Sequence, residues 1–165
     1  MEKQLFKQLP GNARVWIYQS SRELSNTDVQ QMLSRIHDFI GQWTSHSRKV
    51  IAEGAVLYNR FVVLAADESA FAVSGCSIDS SVSFIRQMEQ QFSIKLFDRL
   101  AVAYRENGTI KTVDQSAFQQ MIEKGVINNE TVVFNNLVST VNDFNRSWEI
   151  PLARSWHGKF FKVNA

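Results

Sequence analysis

The stretch Val50-Ile51-Ala52-Glu53-Gly54-Ala55-Val56-Leu57-Tyr58, followed after Asn59-Arg60 by Phe61-Val62-Val63-Leu64-Ala65-Ala66, decides how the chain is read. Both runs are strand-sized and rich in apolar and β-branched residues. Tyr58-Asn59-Arg60 supplies a turn between them, which makes the pair a hairpin. One long bent strand is the alternative that periodicity leaves open. A helical signature stands on either side. Upstream, Val29, Met32, Leu33, Ile36, Phe39, Ile40 and Trp43 recur at three- and four-residue steps, behind N-cap candidates at Ser20, Ser21 and Ser25-Asn26-Thr27-Asp28. Downstream, Val82, Ile85, Met88, Glu89 and Phe92 mark a second amphipathic helix, with Asp79 or Ser80 as the expected cap.

Further elements extend outward from this centre. Arg14-Val15-Trp16-Ile17-Tyr18 after Gly11-Asn12 predicts a first strand. Asn107-Gly108, between Arg99–Arg105 and Thr109–Val113, is a strong hairpin signal because both residues tolerate positive φ. Asp114 caps a short helix carrying Phe118, Met121 and Ile122, stopped by Gly125. Thr131–Phe134 reads as a last strand and Leu137–Trp148 as a final helix. The tail holds Trp156, Phe160 and Phe161 and is expected to dock rather than hang free. Paired strands between helices predict an α+β fold, with a mixed or mostly antiparallel sheet of about five or six strands and about four helices. Only Pro10 and Pro151 break the chain, and no linker or like-charge block divides it, so residues 1–165 are read as a single globular domain.

Composition narrows the function classes. Eighteen basic and 16 acidic residues leave a net charge of +2, with no clustered basic face for nucleic acid. Lys3, Lys7, Lys159 and Lys162 read as solvated ends. One cysteine excludes an intrachain disulfide and points to a reducing compartment. Met1–Lys7 lacks the apolar core of a secretory signal. The longest apolar run, Phe61–Ala66, falls far short of the roughly 20 residues a membrane helix needs. A cytoplasmic protein that engages neither membrane nor nucleic acid is expected.

Five phrases together carry a resemblance: Ala13-Arg14-Val15-Trp16-Ile17-Tyr18-Gln19-Ser20, Tyr58-Asn59-Arg60-Phe61, Ser74-Gly75-Cys76-Ser77-Ile78-Asp79, Phe97-Asp98-Arg99-Leu100 and Val133-Phe134-Asn135-Asn136-Leu137. Over most of its length the chain resembles a family of small, uncharacterised bacterial proteins often labelled ABC transporter ATPases. The family brings no established activity or site residues. The label itself fails on the residues. A P-loop needs a glycine-rich loop ending in Gly-Lys-Ser/Thr to cradle phosphates, and none of the seven glycines opens one. A Leu-Ser-Gly-Gly-Gln signature is also absent.

The candidate chemistry gathers at Ser74-Gly75-Cys76-Ser77-Ile78-Asp79-Ser80-Ser81, between a strand and a helix. Unpaired amides at a helix mouth favour an anion such as a thiolate. A cysteine nucleophile needs a base and oxyanion donors. His46 and His157 are the candidate bases beside Cys76, and Asp67, Glu68 or Asp79 the candidate orienters. Ser74 suits a nucleophile elbow; Ile78 does not. The same turn reads also as a binding site. Ser74, Gly75, Ser77 and Asp79, with charge from Arg60, Arg99 or Arg14, would hold a small anionic ligand. Two plainer readings stand beside these: Cys76 as a small buried hydrophobe, and Asp79 or Ser80 as simple caps. Three scattered histidines and a lone cysteine do not make the roughly four closely spaced ligands of a structural zinc, so no metal or cofactor is expected. A rival, non-catalytic reading makes the aromatic C-terminal segment an interaction surface. A homodimer, through an edge strand or through this tail, is a further expectation.

Overall fold

The computed structural model describes residues 5–163. Contacts group the chain into two units, one built up to Phe97 together with Ser139–Asn142, the other from Asp98–Val138 and the chain from Asp143 on. The first unit contains β1 (Arg14–Gln19), α1 (Asn26–Gln42), β2 (Thr44–Ser45), β3 (Arg48–Lys49), β4 (Ala52–Leu57), β5 (Phe61–Ala66) and α2 (Gly75–Phe92). The hairpin forms as read: β4 and β5 pair antiparallel, with Leu57 opposite Phe61. Tyr58 and Asn59 turn the chain with φ near +52° and +53°. β5 is the middle strand of a three-stranded sheet, β1-β5-β4, and every residue of it is buried.

Both helices bury their stripes on one face of this sheet. Met32 and Ile36 of α1 and Phe84, Ile85, Met88 and Phe92 of α2 share a core with Val62 and Leu64 of β5 and Tyr18 of β1. Burying each such side chain contributes roughly 1.5–3 kcal/mol, so this layer dominates the stability of the unit. Gly54 lets β4 approach α1 closely, since a methyl added there would overlap Ile36 Cγ2. α1 opens with a capping box: the Ser25 hydroxyl accepts the Asp28 N–H at 3.0 Å, and the Asp28 carboxylate accepts the Ser25 N–H at 3.1 Å. The Arg22 guanidinium, hydrogen-bonded to the same carboxylate, holds it below the usual range. The outer edge of β1 takes a returning segment: Val15 N–H donates to Ser139 O and Val141 N–H to Ala13 O, each at 2.9 Å.

The second unit contains β6 (Ala101–Glu106), β7 (Thr109–Asp114), α3 (Gln115–Glu123), β8 (Val132–Phe134), most of α4 (Val141–Ser147), β9 (Glu149–Pro151), a 3-10 turn at Leu152–Arg154 and α5 (His157–Phe160). Its sheet is antiparallel in the order β7-β6-β8-β9. The Asn107-Gly108 turn has φ of +50° and +80°, as two-residue hairpins require. Asp114 caps α3 through the Ala117 N–H, and Gly125 ends it at φ +75°. Phe118 is the centre of the core, with Val102, Tyr104, Val133, Leu152 and Phe161 around it. Arg105 reaches across β8 to Glu149, its Nε donating at 2.9 Å, and lies over the Phe134 ring.

The α+β class holds, and every strand pairing is antiparallel. The strands divide among sheets of three, two and four. The helix expected over Leu137–Trp148 begins at Val141, and a short α5 follows it in the tail. The Asn135 carboxamide accepts the Leu137 N–H and bends the chain there, and Ser139–Val141 is drawn onto β1. No helix among the described residues is long and apolar enough to cross a membrane.

Candidate functional site at the start of α2

The expected cap of α2 lies too far along the chain. Ser74 is the N-cap: its hydroxyl accepts the Ser77 N–H at 3.2 Å, so the helix starts at Gly75. Cys76 therefore sits inside the first helical turn, where backbone N–H groups lack intrahelical acceptors. Its thiol is exposed, which rules out the buried-hydrophobe reading.

The polar residues around it divide by direction. Ser77, expected to face a ligand, is 3% exposed. Its hydroxyl donates to Thr44 O at 2.6 Å and meets Ser74 Oγ at 2.8 Å, and its carbonyl accepts the indole N–H of Trp43 at 2.9 Å. Ser77 is thus structural, clamping α2 to the chain that follows α1. Ser45 tightens the clamp, with its hydroxyl donating to Ala72 O and accepting the Ser74 N–H. Gly75 and Asp79 are exposed.

The clamp brings the hairpin β2–β3 to the turn, and His46 stands exposed at its tip, with φ of +50° beside Ser47 at +65°. His46 and Cys76 therefore belong to one locality. The other two expected residues have different settings. Arg60 is buried in the β4–β5 turn, its N–H donating to Leu57 O and its carbonyl accepting from Ser20. Desolvation lowers the affinity of its guanidinium for the proton, opposed by the charge of Glu23. His157 belongs to the second unit and is 2% exposed. It stacks on Trp156 at 3.9 Å between ring centroids, and its Nδ1 shares a 2.6 Å hydrogen bond with the Ser155 hydroxyl. Burial pushes its imidazole down to about 4, so it is neutral at pH 7.

A cleft of about 230 Å³ opens along the seam of α1 and α2, lined by Arg35, Asp38, Phe39, Gln42, Ser80, Phe84 and Gln87. Phe39 and Phe84 stack nearly parallel, with ring centroids 4.5 Å apart, and form an aromatic wall. The Arg35 guanidinium lies 5.9 Å from the Phe84 ring, and donates to the side-chain oxygens of Gln87, at 3.3 Å, and Gln91. These partners are neutral amides, which leave the positive charge of the guanidinium uncompensated. At 3.6 residues per turn, Cys76, Ser80, Phe84 and Gln87 fall on one stripe of α2. The Ser80 hydroxyl donates to Cys76 O at 3.0 Å, so the cleft runs to within one turn of the thiol. Arg35, Asp38, Phe39 and Gln42 were not candidates on sequence. Arg35, Asp38 and Gln42 share the i, i+3, i+7 spacing of the polar side of α1, and Phe39 lies in its apolar stripe; neither pattern says which helix they face. Among the described residues no three His, Cys, Asp or Glu side chains gather as a metal site would require.

No family model matches the chain, and no curated protein and no solved structure is found to be similar to it.

Proposed function

We propose that the first unit binds a small anionic molecule in the α1–α2 cleft and presents it to the thiol of Cys76, in the cytoplasm of a bacterium, where thiols stay reduced. One juxtaposition supports this: an exposed cysteine on the same helical stripe as a cleft that carries the Arg35 guanidinium. At about 230 Å³ the cleft is below the roughly 300–1,000 Å³ of drug-sized sites, which suits a small carboxylate or phosphate over a nucleotide. In this reading His46, exposed on the hairpin that Ser45 ties to Ser74, is the candidate base for the thiol. His157, buried and neutral, is a packing residue of the second unit.

The test compares alkylation of Cys76 by anionic iodoacetate and by neutral iodoacetamide, each relative to free β-mercaptoethanol. An anion-binding cleft raises the iodoacetate rate severalfold over that reference, and Arg35→Gln returns the ratio to it. A ratio equal to the free thiol's, and unmoved by Arg35→Gln, would end the proposal. Phe160 supports a second, non-catalytic reading, because its ring is 60% exposed and packs edge-on to Trp156. Phe160→Ser should then lower binding of an apolar dye without moving the melt; unchanged dye binding would sink that reading.

A further inference from the structure

The β4 edge of the three-stranded sheet is open. Asp67 N–H donates to Ile51 O, so Ile51, Glu53, Ala55 and Leu57 turn their backbone groups toward β5. By alternation, Ala52, Gly54 and Val56 turn theirs outward, and β5 is the only strand to which β4 hydrogen-bonds among the described residues. Edge strands are ordinarily guarded by proline, lysine, a bulge or a covering element. β4 has no proline, lysine or bulge, and its one charge, Glu53, has Oε1 buried without a hydrogen-bond partner. Beside the edge lies a cleft of about 350 Å³ lined by Leu33, Ile36, His37 and Ile40 of α1 and by Ala52, Glu53 and Gly54. Leu33, in the lining of this cleft, is 41% exposed, and Ile51, next along the strand from Ala52, is 59% exposed.

We propose that β4 pairs antiparallel with β4 of a second copy of this chain, about a two-fold axis at Gly54. The strand is complementary to itself in that register. The outward groups of Ala52 meet those of Val56 of the second copy, and Gly54 meets Gly54 of the second copy, each pair exchanging two backbone hydrogen bonds. Glu53 falls opposite Ala55 of the second copy, so the two carboxylates never oppose one another. Ile51 falls opposite Leu57 of the second copy, and the two clefts close over the paired edges, which covers Leu33. The contact is isologous and closes at two copies, as a two-fold interface must.

The test is sedimentation velocity on the full chain over rising concentration, beside two variants. Ala52→Pro deletes an outward N–H at the first position of the strand and leaves the β4–β5 ladder intact. Glu53→Cys/Ala55→Cys, made with Cys76→Ser, places thiols opposite each other in a non-hydrogen-bonded pair across the axis. Expected are a reversible dimer, loss of that dimer in Ala52→Pro with circular dichroism unchanged, and a disulfide-linked dimer of the cysteine variant on exposure to a small disulfide. A monomer throughout, or a dimer that survives Ala52→Pro, overturns the proposal. If Ala52→Pro fails to fold, the cross-link decides, and its absence has the same force.

Discussion

His157 makes the stability of the second unit depend on pH in a window that few other side chains reach. The imidazole is 2% exposed, stacked on Trp156 and bonded through Nδ1 to Ser155, and burial lowers its proton affinity to about 4. In the unfolded chain it titrates near 6.5. As pH falls from 6.5 to 4, the unfolded chain therefore gains a proton that the folded chain refuses. Stability is greatest above 6.5, declines across the window, and this decline levels off below about 4. The gap, at about 1.36 kcal/mol per pH unit, makes the loss about 3 kcal/mol, a large part of the about 5–15 kcal/mol that typically holds a domain together. Urea unfolding of the native chain and of His157→Gln, at intervals from pH 7.5 to 4, measures it. The variant starts less stable, because it disturbs packing, but its stability should stay flatter between 6.5 and 4. Carboxylates titrate in both proteins and cancel in the difference. Parallel decline of the two curves would refute the reasoning.

Two further substitutions probe the first unit. Ser25→Ala removes the acceptor for the Asp28 N–H and should cost about 1 kcal/mol in urea unfolding, as capping serines do; no change would mean that the box is idle. Gly54→Ala drives a methyl into Ile36 Cγ2, a branched group that cannot swing aside, and should cost about 1–3 kcal/mol by thermal melt.

Elements whose signal is local were legible in the residues. The stripes of α1 and α2, the Asp114 cap, Gly125 and the Asn107-Gly108 turn each depend on neighbours within one or two turns of chain, and each formed. The elements missed depend on distant partners. β2 and β3 are two residues each and carry little apolar signal, and their turn uses His46 and Ser47 at positive φ, which neither residue type announces. β9 ends on Pro151, which reads as a breaker until it is seen at a sheet edge. The candidate site divides in the same way. That Cys76 stands near a helix start could be read from its neighbours. That Ser77 is spent on Thr44 and Trp43 while Arg35 faces the α2 stripe could not, because both follow from which surfaces meet.

The strand edge that Ser139–Val141 supplies to β1 has a consequence for biosynthesis. Residues up to Phe97 leave the ribosome first, yet the sheet they form lacks one bordering segment until residue 141 has emerged. At about 5–20 residues per second that interval lasts seconds, far longer than a hairpin needs to form. A nascent chain stalled in between, or a fragment cut after Phe97, would present β1 as a bare template for intermolecular pairing. A fragment cut after Phe97 would leave the β1 edge bare, so one meant to keep that edge covered must carry Ser139–Asn142, joined on through a linker.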